Sequence, residues 1–172
     1  MRVLYIGITD FAEREQIVRM SRHIRDFRAI GLPHVLMVGV MISYKTLKDI
    51  PSDWTPIWVP KSEADGLFLD LDNVFNAFHY ADYEGVTDVE DLCSVALYGG
   101  PNMHALQLDM IWPEPQLVSE FRGRFPHIQV VLQVGAQALA QIGDDPAELV
   151  SRLKQYGATI DHVLLDKSMG RG

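Results

Sequence analysis

Cysteine is nearly absent from this chain. Cys93 stands alone in 172 residues, so no intramolecular disulfide can form, which agrees with a reducing compartment. Long apolar runs are missing too. The longest, Val35 to Ile42 ("VLMVGVMI"), falls far short of the roughly 20 residues that span a bilayer, and the N-terminus opens on a strand pattern rather than a signal peptide. Basic residues are scarce: 15 Lys and Arg against 23 acidic residues give a formal net charge of −8, with no basic run, so contact with a polyanion would be costly. The expectation is a cytoplasmic protein that binds no nucleic acid and no membrane. No internal repeat or low-complexity tract is visible, and 48% apolar residues suffice for the core of a single domain over residues 1–172.

What is present is alternation of strand and helix. "RVLYIGITD" (Arg2 to Asp10) is β-rich, and Ile17, Met20, Ile24 and Phe27 follow at helical spacing, with Asp10 and Glu13 as a capping box. "HVLMVGVMIS" (His34 to Ser43) reads as a strand buried on both faces. Residues 44–72 are broken by Pro51, Pro56 and Pro60 and read as an insertion with one short strand; a third main strand is centred on Val74 to Tyr80. Thr87 and Glu90 then cap a helix through Leu92 and Val95 that stops at Gly99 and Gly100. "MHALQLDMI" is the fourth strand, Leu117, Phe121 and Phe125 mark a helix, and "HIQVVLQVG" is the fifth strand. Asp145, Pro146 and Glu148 start a last helix that ends at Gly157, before "DHVLLDKS" as strand six.

Such alternation predicts an α/β fold with a parallel sheet. A (β/α) barrel of TIM type, truncated after its sixth strand and incomplete at the C-terminus, is the first expectation; an open doubly wound sheet is the alternative. An incomplete barrel would expose two sheet edges and call for a partner chain, so a homo-oligomer is expected.

Three motifs carry a resemblance: "IGIT" (Ile6 to Thr9) on the first strand, "LQLD" (Leu106 to Asp109) on the fourth, and "LLDKSMGRG" (Leu164 to Gly172) on the sixth. In order and strand position they are similar to phosphoribosylanthranilate isomerase, a (β/α)8 barrel of tryptophan biosynthesis. The resemblance implies an isomerase acting on a small phosphorylated sugar or sugar-amine by acid–base chemistry, with no cofactor and no metal ion. It makes Asp166 the acid and Gly170, Arg171 and Gly172 the phosphate loop. The family's base is a cysteine where this chain has Ile6, and its fourth-strand motif usually ends in histidine where this chain has Asp109.

Strand alternation places Gln107 with Asp109 on one face of strand four, and His162, Leu164 and Asp166 on one face of strand six, away from Lys167. Asp109 is therefore the candidate replacement base, and Gln107, Ile6 and His79 complete the expected substrate pocket. Lys167 does not share Asp166's face, which argues against a Schiff-base lysine there. Cys93 lies within a helical pattern and His104 at a strand's start, where barrels build stability rather than catalysis. A rival chemistry rests on Asp70, Asp72, His79 and Asp82, which have the residue types of a metal-dependent sugar-phosphate epimerase or aldolase. A third reading is a catalytically silent barrel that binds a phosphorylated ligand or serves in assembly.

Overall fold

A computed structural model describes residues 4–31, 34–53, 55 and 58–168. Six strands form one parallel sheet in strictly sequential order: β1 (Leu4–Ile8), β2 (His34–Ser43), β3 (Val74–Asp82), β4 (Ala105–Met110), β5 (Gln129–Gly135) and β6 (His162–Asp166). The doubly wound alternative is thereby corrected, because that fold reverses strand order at a switch point and this sheet has none. Helices α1 (Arg14–Ala29), α2 (Tyr44–Leu47), α3 (Val89–Gly99), α4 (Pro115–Arg124), α5 (Ala136–Gln141) and α6 (Pro146–Tyr156) lie between the strands. The sheet curls into a half-barrel. Tyr5 on β1 and His162 on β6 belong to its two outermost strands, yet their rings meet edge to face at 5.8 Å between centroids.

Curling gives each strand a helix-facing side and a lumen-facing side. Leu36, Val38, Val40 and Ile42 of β2 alternate onto the helix side with Phe78 of β3, Leu106 and Leu108 of β4 and Leu132 of β5, all at most 1% exposed. There they meet Ile17 and Ile24 of α1, Leu92 of α3 and Phe121 of α4 in one apolar cluster. Each such side chain contributes roughly 1.5–3 kcal/mol of burial. The lumen has its own small cluster of Ala77, Ala105 and Val131, and below it Tyr5, Phe75 and His104 stack as an aromatic floor. His104 is fixed there by accepting the Asn76 N–H at Nδ1, 2.9 Å away.

Several local expectations shift. Helix α1 begins at Arg14, and the Gln16 side chain, not an Asp10–Glu13 box, accepts the amides of Ala12 and Glu13. Phe27, expected on the buried face, is 40% exposed at that helix's far end. Asp88 and Asp91 form the capping box of α3 in place of Thr87 and Glu90. The 44–72 stretch holds α2 and a 3-10 turn over Lys61–Leu67, and no strand among its described residues. Among the described residues no helix is long and apolar enough to cross a membrane. The outer strands carry exposed apolar side chains, most clearly Val163 (42%) and Leu165 (59%) on the helix-facing side of β6.

Candidate functional site

The carboxylates of the lumen gather toward the C-terminal ends of the strands, the end where parallel barrels build their reactive groups. His79 of β3 pairs in register with Gln107 of β4, and Asp109 of β4 with Gln133 of β5. His79 Nε2 lies 3.2 Å from Asp109 Oδ2, and both side chains are nearly buried. A carboxylate oxygen only accepts, so the imidazole carries its proton on Nε2. That leaves Nδ1, buried and, among the described residues, without a hydrogen-bond partner. Tyr83, in the loop after β3, donates its hydroxyl to the same Asp109 oxygen. Burial, and then the Asp109 carboxylate, push the Tyr83 phenol well above its ordinary pKa, so it remains a donor.

A second chain of hydrogen bonds runs beside the first. Gln107 Nε2 donates to Gln133 Oε1 at 2.6 Å, and Gln133 Nε2 donates to Asp166 Oδ2 at 3.3 Å. The two glutamines are buried, and this relay supplies the partners without which their desolvation would cost several kcal/mol. Asp166 also accepts the Ser168 N–H at 2.7 Å. Hydrogen bonds from the Ser168 side chain and amide outweigh burial and, with a smaller contribution from His79, hold the Asp166 carboxyl below the usual carboxylate range.

Four residues expected in the site, His79, Gln107, Asp109 and Asp166, thus share one lumen face. Ile6 does not. It pairs with Leu36 and packs toward the helices, while Gly7 takes the lumen position beside Met37. The pocket assignment of Ile6 is corrected on that ground: strand parity turns the residue outward. Gly170, Arg171 and Gly172, the expected phosphate loop, lie outside the described residues. Lys167 reaches away to Asp144, 2.7 Å from its Oδ1, and Cys93 is buried in α3 with Arg124 beside it. The rival donor set does not assemble: Asp70 and Asp72 precede β3 and Asp82 ends it, and the strand between them is roughly 26 Å long at about 3.3 Å per residue. Among the described residues no three His, Cys, Asp or Glu side chains are grouped to hold a metal ion.

Asp82 instead holds a loop. Its carboxylate accepts the amides of Glu84, Gly85, Val86 and Thr87 at 2.9–3.0 Å and the Thr87 hydroxyl at 2.6 Å. That loop carries Tyr83 to Asp109 and closes one wall of a cleft of about 400 Å³ at the ends of β2 and β3. Tyr44, Trp58 and Tyr83 give the cleft aromatic walls, and Lys45 and Glu84 pair across it at 2.8 Å. Tyr83, Gln133 and Trp58 were not among the residues expected from sequence. Gln133 was legible by the same alternation that singled out Gln107, whereas Tyr83 and Trp58 sit in loops where no periodicity points to them. Set against known protein families and curated proteins, the chain matches no family model and no curated protein.

Proposed function

We propose that the chain is an acid–base isomerase working at the mouth of its half-barrel on a small phosphorylated sugar or sugar-amine, in the manner of phosphoribosylanthranilate isomerase. The observation that carries this reading is the convergence of His79, Tyr83 and Asp109 beside Asp166 on the lumen face. An Amadori rearrangement requires a proton delivered to the ring oxygen as the C1′–O bond opens, and a proton taken from C2′ as the enol forms and passes to the ketone. Asp166 starts ionised, so it is the proton acceptor at C2′, and the acid role that the resemblance gives it passes to the cluster around Asp109. Asp109, with both donors on one oxygen, orients His79, which in its doubly protonated form gives the Nδ1 proton to the ring oxygen and keeps Nε2–H on Asp109. The resemblance assigns the sugar phosphate to Gly170, Arg171 and Gly172, which lie outside the described residues.

The test is conversion of phosphoribosylanthranilate by purified protein, with Asp166→Asn and His79→Gln compared at unchanged circular dichroism. Each substitution is expected to lower kcat by roughly 10²–10⁴-fold. Folded protein without turnover would sink the isomerase reading, and full turnover in Asp166→Asn the residue assignment. A second reading, a silent ligand-binding or assembly barrel, is favoured by the exposed apolar flank of β6. It predicts stabilisation by inorganic phosphate or a sugar phosphate without conversion.

A further inference from the structure

The cleft beside the catalytic cluster has a charge that the resemblance does not anticipate. Among its described lining residues the carboxylates Asp53, Asp82 and Glu84 stand against one ammonium, Lys45. Asp82 is satisfied by its loop, and Lys45 is held by Glu84 with Asp53 close enough to act on its charge. What remains is a net negative wall facing the rings of Tyr44, Trp58 and Tyr83. A flat ring stacks on such aromatics whatever its charge, and an ammonium gains further from both the ring faces and the carboxylates. A carboxylate on that ring would be repelled.

We propose that this cleft binds the ring of an amine-bearing ligand that is cationic and carries no carboxylate. It is therefore a second subsite beside the cluster, separate from the place of the isomerase substrate's own ring. Tyr83 ties the pocket to the cluster, since it lines the cleft and donates to Asp109. The proposal deepens the reading of the mouth as a ligand site, but it does not depend on isomerase chemistry.

The test uses three probes of one shape and different charge: benzylamine, benzyl alcohol and benzoate, titrated by calorimetry against the whole chain at low and high salt. Benzylamine is expected to bind about tenfold more tightly than benzyl alcohol, with benzoate weakest and the spread narrowing as salt rises. Asp53→Asn with Glu84→Gln should bring the three together, whereas Trp58→Ala should weaken all three alike. Benzoate binding as tightly as benzylamine, no change in the double variant, or no binding of any probe would each overturn the proposal. Amine binding without phosphoribosylanthranilate turnover would leave it standing while removing the isomerase reading.

Discussion

Replacing Asp82 by Asn tests whether one carboxylate holds the wall of the site. Asp82 is 4% exposed and accepts four backbone amides and one hydroxyl, with two amides on Oδ1 and two amides plus the Thr87 hydroxyl on Oδ2. Asparagine keeps one acceptor oxygen and turns two donors toward donors, so at least two loop amides lose their partner. Each of these part-buried amides left unpaired costs up to about 1–3 kcal/mol, and some of that is recovered as the loop moves to water. A net loss of about 2–3 kcal/mol is expected, which corresponds to roughly 4–12 °C in Tm for a domain of this size. Burial works to raise the Asp82 carboxyl, but the hydrogen bonds from Thr87, Glu84 and Val86 outweigh it and hold the folded group below the usual carboxylate range. Its contribution is therefore fully present above the unfolded value and fades as pH falls through the lower folded value. Urea midpoints for both proteins, measured from neutral pH down to about pH 3, should show a gap that is constant above about pH 5 and narrows below about pH 4. A gap that is absent at neutral pH, or that persists undiminished in acid, would refute the reasoning.

The other tests concern close packing and the sheet edge. Gly39 on β2 leaves no room for a side chain: an added Cβ would sit 2.8 Å from Thr9 Cγ2, 3.2 Å from Thr9 Cα and 3.3 Å from the Ile8 carbonyl. Gly39→Ala should cost about 1–3 kcal/mol in a denaturant titration, and Thr9→Ala in the same chain should restore part of it as a measurable coupling. Val163→Lys with Leu165→Lys should lower self-association in sedimentation velocity while changing the unfolding midpoint little, since both side chains are exposed. A larger loss of stability than of association would mean that the β6 flank is covered within the chain.

Much of the fold was legible because one physical signal repeats. In β2 the side chains Leu36, Val38, Val40 and Ile42 alternate with others that face a second buried surface, and a strand apolar on both sides belongs to a parallel sheet under helices. Helical crossovers of modest length then lead each strand to pair with its sequence neighbour, which is the order found. The errors lie where a distant group outcompetes a local pattern. Thr87 has the spacing of an N-cap, but Asp82 claims both its amide and its hydroxyl, so the cap passes to Asp88 one residue on. Asp10 has the residue type of a cap, but it adopts a positive φ of 62° and the chain turns Phe11 into the core before α1 begins. Nothing in a short sequence window reports either event.

The site shows the same division more sharply. Gln107 and Asp109 stand out by parity on their own strand, and parity transfers to three dimensions because neighbouring parallel strands hold side chains in register: Gln107 meets His79 and Asp109 meets Gln133. Ile6 entered by motif position alone, and motif position does not carry parity. In β1 the register Gly7 to Met37 fixes the lumen at residue 7, so position 6 faces the helices whichever residue occupies it. The lack of a proton acceptor at Ile6 therefore leaves no gap in the cluster at the mouth. If the resemblance were a guide to geometry here, Ile6→Cys would create an acceptor in the lumen; on the observed register its thiol lies in the helix-facing layer. Alkylation of that thiol in the folded chain should accordingly run at the same rate with and without a ligand at the mouth. Rapid labelling of the introduced thiol in the native state, blocked by a ligand at the mouth, would show that the parity of β1 is reversed and would return position 6 to the site.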